Sequence, residues 1–501
     1  MLLMSFPPHL THRYLLILLV TLVTACQPCS GSDLAQAINQ AVAKSGIPRA
    51  QLGISVRDTR TGKELADLAG DTPRIPASNM KLLTTAAMLS ERGDSHVFRT
   101  KLLLDGNRLI IVGDGDPALA DPDLLKTMRD KDGDPLNVET LLDLWTGAIT
   151  SSGVRRIDEL IVDDRIFDQE TMHPHWPDNQ VERHYCAQVS GLNFHRNVIW
   201  LRPSPHGGKV KMNEMPRAPF LNIKNELKSG GGRTGENLID PHRDRHGEQI
   251  KVLGNIKEPQ VKPVEVTIHD PSMFTARLLA DRLERRGIPV ASIRRPSEQE
   301  VFQGRSLEFD VITPLETVAR ECNHESKNLY AESLLKYLGH SRTGKPGSWT
   351  NGGEALKAII QERTGQRAVG LVVADGSGMS RHNRISPSLM TSWLSSFAND
   401  SVTGPAFDAT LPTPGEGTLR TRFARRNLHG CGVMAKTGYI NGVSALSGYV
   451  VGPDGNRYAF SVIGNDLSKI RPCKTLQESV VEAIAARLGQ SATRTSKVGN
   501  N

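Results

Sequence analysis

Hydrophobic positions divide the chain into stretches of different period. Leu52-Gly53-Ile54-Ser55-Val56-Arg57-Asp58 alternates as a strand does. Thr61-Gly62-Lys63 turns it and residues 64–68 can return, which predicts a hairpin. Pro76 then precedes a run in which Leu82, Leu83, Ala86 and Leu89 recur at helical spacing, ended by Gly93-Asp94. From about residue 99 the character changes. Thr100-Lys101-Leu102-Leu103-Leu104 turns at Asp105-Gly106-Asn107 into Arg108-Leu109-Ile110-Ile111-Val112. Short strands and loops are expected from there to about residue 300, with Ser229-Gly230-Gly231-Gly232 and Asp240-Pro241-His242-Arg243 as loops. A helix over residues 270–286 lies near the end of this stretch, closed by Gly287-Ile288-Pro289.

Helical patterns return over residues 314–322 and 328–338, and the last third is rich in strands. Met434-Ala435-Lys436-Thr437-Gly438 precedes Ser447-Gly448-Tyr449-Val450-Val451. Gly452-Pro453-Asp454-Gly455 turns into Arg457-Tyr458-Ala459-Phe460-Ser461-Val462-Ile463, an antiparallel hairpin. Leu476, Val480, Ile484 and Leu488 form one stripe of a final helix, with Gly489 as its C-cap. Strands at both chain ends with helices between them indicate an α+β core, an antiparallel sheet flanked by helices. Residues 33–98 and 300–490 are expected to form one discontinuous domain. Residues 99–299 would be a strand-rich insertion with a smaller insertion inside it, and 491–501 a disordered polar tail.

The N-terminus reads as an address. His12-Arg13 precedes the apolar run Tyr14-Leu15-Leu16-Ile17-Leu18-Leu19-Val20-Thr21-Leu22-Val23, too short for the roughly 20 residues that span a bilayer. That is the pattern of a secretory signal over residues 1–25. Val23-Thr24-Ala25-Cys26 is similar to a bacterial lipobox, which would anchor the chain to a membrane through a lipid on Cys26. A plain cleavage site after Ala25 is the alternative. Cys26-Gln27-Pro28-Cys29 has redox or zinc spacing, but it sits at the processing site and is set aside. Cys186, Cys322, Cys431 and Cys473 are too few for a disulfide scaffold. One bridge or four buried thiols would both fit, the second better. The formal charge is +7, spread along the chain without a basic cluster interleaved with aromatics, so no nucleic-acid partner is expected. His173 and His175 stand at no metal spacing and are expected on the surface; no metal or organic cofactor is implied.

Three short motifs carry candidate chemistry. In Ala77-Ser78-Asn79-Met80-Lys81, Ser78 and Lys81 lie three apart at a helix start and share a face. A hydroxyl there can be a nucleophile if the amine beside it is partly neutral, which burial and a second cation supply. An ordinary helix start that happens to carry Ser and Lys is the bland alternative. Ser326-Lys327-Asn328 opens the next helix, where Ser326 would also make a good N-cap. Lys436-Thr437-Gly438 lies on a strand, followed by Tyr439; a solvent-facing lysine and a bulge glycine would be its ordinary explanation. In this order the three form the signature of serine acyltransferases that react with penicillin. Ser78 would attack a carbonyl and Lys81 accept its proton. Ser326 would pass that proton to the leaving amine, and Asn328 hold Lys81 and a substrate amide. Lys436 would keep Lys81 partly neutral and attract a substrate carboxylate. Thr437, Gly438 and Tyr439 would line the substrate strand, and the N–H groups of Ser78 and Tyr439 would form an oxyanion hole.

With these residues, the chain resembles the class C low-molecular-mass penicillin-binding proteins, the D-alanyl-D-alanine carboxypeptidase/endopeptidase family. Asp375-Gly376-Ser377-Gly378-Met379-Ser380-Arg381, Gly113-Asp114-Gly115-Asp116-Pro117 and the loop from Leu411 to Leu419 are similar to further segments of that family, as is the long insertion before Ser326. Lys327 replaces the family's usual acidic residue, Tyr439 stands where Ser or Thr is common, and the loop from Leu411 is one residue short. The resemblance implies a serine β-lactamase/DD-peptidase-like domain. It implies hydrolysis of D-Ala-D-Ala ends of peptidoglycan stem peptides, with cross-links as further substrates. It also implies covalent binding of β-lactam antibiotics and a place in the bacterial cell envelope or periplasm. A β-lactamase and a catalytically silent wall-binding protein are the rival readings.

Overall fold

The computed structural model describes residues 31–498 apart from 131, 231–234 and 308. The expected signal segment, Cys26 and Cys29 lie outside the described residues.

A five-stranded antiparallel sheet forms the centre, in the order Gly432–Ile440, Val443–Val451, Arg457–Gly464, Leu52–Asp58 and Glu64–Leu68. Both chain ends therefore meet in one sheet, through the pairing of Leu52–Asp58 with Arg457–Gly464. The central strands are buried on both faces, and their period of two sorts the side chains. Leu446, Val450, Phe460 and Val462 pack on one side against Leu476, Val480 and Ile484 of the last helix and Leu34 and Ile38 of the first, Gly31–Ser45. Ala445, Tyr449, Ala459 and Ile463 face the helical layer, which contains Met80–Arg92, Asn328–Thr343 and Pro387–Ala398. Local chemistry sets the helix ends. Ser386 caps Pro387–Ala398 by accepting from Leu389 N, and Gly93 closes Met80–Arg92 with φ of 77°. The fold is α+β, as the pattern implied.

The intervening region builds a mixed sheet. Val97–Asp105 and Arg108–Val112 pair antiparallel, and Glu159–Asp163 adds in parallel. Ile293–Arg294, Arg305–Ser306 and Val311–Pro314 complete the six strands. Val311–Pro314 pairs back onto Val97–Asp105, so this ladder runs past residue 299, the boundary expected from sequence. Helices Val138–Ser151 and Pro271–Arg285 pack on it around Trp145, Phe194 and Phe274. Residues 198–267 hold two further three-stranded sheets.

Four expectations are corrected. Val138–Ser151 is a helix where strands and loops were expected; Asn137 caps it by accepting from Glu139 N and Thr140 N. Asp240–Arg243 is not a loop but part of strand Leu238–Arg243. That strand is the edge of its sheet, where proline is tolerated. Gly489 does not end the last helix, which runs Ile470–Val498 through most of the expected disordered tail; Ser491 to Val498 contains neither Pro nor Gly to stop it. A Cβ at Gly489 would lie 3.0 Å from His429 O, so the position serves close packing. His173 is buried, edge-on to Trp349 at 5.0 Å, while His175 is exposed and stacks on His382 at 4.2 Å. The four cysteines are free and buried. Among the described residues no helix is long and apolar enough to cross a membrane, and no group of three His, Cys, Asp or Glu is arranged to hold a metal.

Candidate active site

Ser78 sits in a 3-10 turn, Ala77–Asn79, that leads into Met80–Arg92. Ala77 is buried with φ of 46°, a strained value for a residue with a Cβ. The surroundings enforce it. A Cβ on Gly378 would lie 1.8 Å from Ala77 O, so the Asp375–Ser380 segment presses directly beneath the turn. On the other side a Cβ on Gly438 would meet Pro76 O at 2.6 Å. Gly438 is thus required by the close approach of the Lys436 strand to the Ser78 turn. Asn79 ties the two together: its Nδ2 donates to Lys436 O at 2.6 Å, and its Oδ1 accepts from Ser447 Oγ at 2.9 Å.

The three motifs converge here. Lys81 is fully buried. Its Nζ donates to Asn328 Oδ1 at 2.8 Å, Ser377 O at 3.0 Å and Ser78 Oγ at 3.1 Å. Lys436, equally buried, donates to Ser326 Oγ at 2.9 Å and Thr437 O at 3.0 Å. Ser326 is not the N-cap of its helix; that position is Lys327, without a side-chain cap bond. Ser326 has φ of 61° instead, and its Oγ accepts from Lys436 Nζ. Asn328 Nδ2 donates to Tyr185 O at 2.9 Å. Thr437 is half-buried, Gly438 buried, and Tyr439 is 60% exposed at the cleft edge.

Electrostatics lower the pKa of both amines. Burial pushes Lys81 below its usual range, opposed by Cys322, Glu332 and Asp375. Burial and then the Lys81 charge push Lys436 well down. Two amines enclosed in one site cannot both hold a proton cheaply, and each has a hydroxyl to exchange it with.

A supporting layer has no motif of its own. Glu332, on the same helix as Asn328, is fully buried. It accepts from Trp349 Nε1 at 2.8 Å, Gly376 N at 2.9 Å and Ser377 N at 2.9 Å. Burial and the neighbouring Asp375 push it up to about 7. Asp375 accepts from Gly378 N, Ser380 N, Asn383 Nδ2 and Trp176 Nε1. The two carboxylates bind the backbone that presents Ser377 O to Lys81. Glu332 stands four residues after Asn328, one turn along the helix, which is the single sequence signal that points to it. Lys327, the departure from the family pattern, donates to Asp121 at 2.7 Å and pairs with Glu321 at 2.9 Å. Burial alone would lower its pKa, but Asp121 and Glu321 hold it above the ordinary value. Asp121, the partner of Lys327, lies just beyond the Gly113–Pro117 loop. The Leu411–Leu419 loop reaches the Lys436 strand through Ala435 N to Pro412 O, 3.2 Å.

A serine–lysine pair under a five-stranded sheet, with a second buried lysine across the cleft, defines a serine acyl-transfer hydrolase of the penicillin-binding type. The chain belongs to the D-Ala-D-Ala carboxypeptidase 3 (S13) family, whose model matches residues 34–487. It is 30% identical over 492 residues to the D-alanyl-D-alanine carboxypeptidase of Actinomadura sp. (strain R39), covering 92% of this chain and 85% of that one. With D-alanyl-D-alanine carboxypeptidase DacB of Haemophilus influenzae it shares 24% over 432 residues, 82% of this chain and 84% of the other. The crystal structure of penicillin binding protein 4 (dacB) from Haemophilus influenzae superposes with a TM-score of 0.71 at 23% identity, over 91% of this chain and 99% of that one. A second structure of that protein is complexed with a β-lactam. Family membership makes this chain a serine peptidase of the D-alanyl-D-alanine carboxypeptidase class.

Proposed function

We propose that the protein removes the terminal D-alanine of peptidoglycan stem peptides through an acyl-enzyme on Ser78, and that β-lactams acylate the same oxygen. The observation that carries this reading is the Lys81 amine, buried and shared between Ser78 Oγ and Asn328 Oδ1. Ser78 Oγ attacks the carbonyl of the penultimate D-alanine and its proton passes to Lys81. The oxyanion is held by the N–H groups of Ser78 and Tyr439; the tight fit of Gly438 against Pro76 supports that pairing. On collapse the C–N bond breaks and the leaving amine takes up the proton that Ser78 gave to Lys81, passed on through the Ser326 hydroxyl. Asn328 and Thr437 hold the substrate amide, and the Lys436 region receives the terminal carboxylate. Water then cleaves the ester, returning Ser78 and the shortened peptide.

Ser78→Ala tests the assignment. It should abolish both D-alanine release and labelling by fluorescent penicillin, because among the described residues no second hydroxyl shares the Lys81 amine. Covalent label on the variant, read by intact mass, would overturn it. We further place the protein in the bacterial cell envelope after export, with Cys26 as a lipid anchor. A lipid chain contributes about 0.8 kcal/mol per buried CH₂ to membrane binding. Cys26→Ser should therefore shift the protein from the membrane to the soluble fraction; wild type already soluble would leave Ala25 as a plain cleavage site.

A further inference from the structure

Two links run from one irregular segment to the carbonyl that Lys81 uses. The segment, residues 166–176, follows strand Glu159–Asp163. Backbone pairing seats it beside helix Asn328–Thr343. Gly347 N donates to Ile166 O at 2.8 Å and Asp168 N donates to Gly347 O at 2.9 Å. The approach is close: a Cβ on Gly347 would meet Lys336 O at 2.1 Å.

The first link is direct. Trp176 is buried, and its Nε1 donates to Asp375 Oδ2 at 3.0 Å. Asp375 also accepts from Gly378 N at 2.8 Å and from Ser380 N at 2.6 Å, so it sets the turn that contains Ser377. The second link passes through a buried cation. Lys336 Nζ donates to Asp168 Oδ1 and to Glu170 O, each at 2.6 Å, and lies 4.0 Å from the centre of the Trp349 ring. Trp349 Nε1 donates to Glu332 at 2.8 Å, and Glu332 holds the N–H groups of Gly376 and Ser377. The rings of His173 and Trp176, edge-on at 5.0 Å and 5.8 Å, close the Trp349 indole on the side of the segment.

The task of the Ser377 carbonyl follows from the shape of an amine. To act as a base Lys81 must be neutral, and its Nζ then keeps two N–H bonds and one lone pair in a tetrahedral arrangement. Its partners are Asn328 Oδ1, Ser377 O and Ser78 Oγ. With the two N–H bonds on Asn328 and Ser377, the lone pair falls on Ser78 Oγ, where the proton is taken. Once Ser377 O moves away, the amine can turn an N–H toward Ser78, and the lone pair is lost to the reaction. We propose that Trp176 and Lys336 are positioning residues, through which residues 166–176 hold the Ser377 carbonyl where it aims the Lys81 lone pair at Ser78. The inference rests on the base role given to Lys81 in the proposed function. A buried indole and a buried ion pair that only stabilise the fold are the ordinary alternative.

The test uses Trp176→Phe, which removes the N–H and keeps an aromatic ring, and Lys336→Met, which keeps an unbranched chain and removes the charge. Trp145→Phe is the control: Trp145 is also buried, lies in helix Val138–Ser151, and its Nε1 has no hydrogen-bond partner among the described residues. Acylation by penicillin is followed by intact mass over a range of drug concentrations, beside kcat/KM for D-alanine release from a pentapeptide. A misplacement of about 1 Å at a reacting centre costs on the order of 100-fold in rate, and loss of one bond around Ser377 should cost about tenfold. Trp176→Phe should therefore slow acylation at saturating penicillin about tenfold, with the half-saturating concentration within about twofold of wild type. The pentapeptide kcat/KM should fall with it, and Trp145→Phe should keep the wild-type rate. Lys336→Met should act in the same direction as Trp176→Phe; if it does not fold, Trp176→Phe decides alone. A wild-type acylation rate in Trp176→Phe, a loss confined to the half-saturating concentration, or an equal slowing in Trp145→Phe would overturn the inference and leave the proposed function standing. A wild type that neither releases D-alanine nor takes up penicillin would sink the proposed function, and this inference with it.

Discussion

Lys327 Nζ lies 2.7 Å from Asp121 Oδ2, and the aspartate is fully buried. The pair joins the catalytic helix to the inserted region at the residue between Ser326 and Asn328. Removing one partner of a buried pair leaves a charge without compensation, at a cost of about 3 kcal/mol or more. Lys327→Met should therefore lower the unfolding free energy by about that amount in urea melts. Asp121 keeps the Tyr330 hydroxyl at 2.6 Å and Asp123 N at 2.8 Å, neither of which carries a charge. Adding Asp121→Asn should restore most of the loss. Lys327→Asp, which brings back the family's usual acid, should be worse than Lys327→Met, because it sets another carboxylate beside Asp121 and Glu321. A change below about 1 kcal/mol in Lys327→Met would mean that the pair is solvated in solution.

Lys81 is predicted to act as a base and not as a fixed charge. Its pKa is lowered from 10.5 by burial. The rising limb of kcat/KM against pH should thus lie below the ordinary lysine range, with activity gained as the amine loses its proton. Lys81→Arg keeps the charge but cannot release a proton at working pH, so D-alanine release should be nearly lost across the whole profile. Activity within tenfold of wild type would make Lys81 structural.

The groups proposed to react were readable in the sequence because the chemistry demands residue types at short fixed spacings: Ser78 with Lys81, Ser326 with Asn328, Lys436 with Gly438. The groups that hold them were not. Glu332 and Asp375 act through backbone N–H groups, and a carboxylate that binds backbone has no partner residue type to look for. Asn79 lay inside the first motif, yet its bond to Lys436 O spans 357 residues of chain. His173 looked like a surface polar residue because its burial depends on Trp349, far along the chain. The helix Val138–Ser151 is a different failure. Its Asn137 cap and its apolar positions 138, 141, 142, 145 and 149 were present, hidden by the strand signals on either side.

Acid should weaken the fold through His195. Burial lowers its pKa from 6.5 to about 4, and its Nε2 has no hydrogen-bond partner. The folded state holds the neutral ring, while the unfolded chain takes up a proton near the ordinary value. Stability from this group is full above about pH 6.5 and is lost as pH falls toward about 4. The loss is on the order of 3 kcal/mol for a shift of this size. His96, also pushed down to about 4, adds to it. In chemical melts between pH 7 and 4, His195→Phe should show a shallower decline than wild type. Parallel declines would show that His195 stays solvated.

Persistence of the penicilloyl ester separates the peptidase from a β-lactamase. Both acylate the serine, so only deacylation discriminates. Fast hydrolysis of the drug needs a carboxylate free to drive water onto the ester. Glu332 is close to the Lys81 network, but both its oxygens are taken by Trp349, Gly376 and Ser377, and burial holds its pKa near 7. A carboxylate with both oxygens bound in this way is not free to drive water onto the ester. Glu325 is exposed in a cavity beside Ser326 and Asn328, and among the described residues no hydrogen bond joins its carboxylate to Ser78 or Lys81. The adduct on Ser78 should therefore survive for minutes or longer, while D-alanine release from a pentapeptide continues through many turnovers. Time-resolved intact mass after removal of excess penicillin measures it. Rapid loss of the adduct with steady drug hydrolysis and no D-alanine released would make the protein a β-lactamase, and Glu332→Gln would then identify the base by freezing the ester.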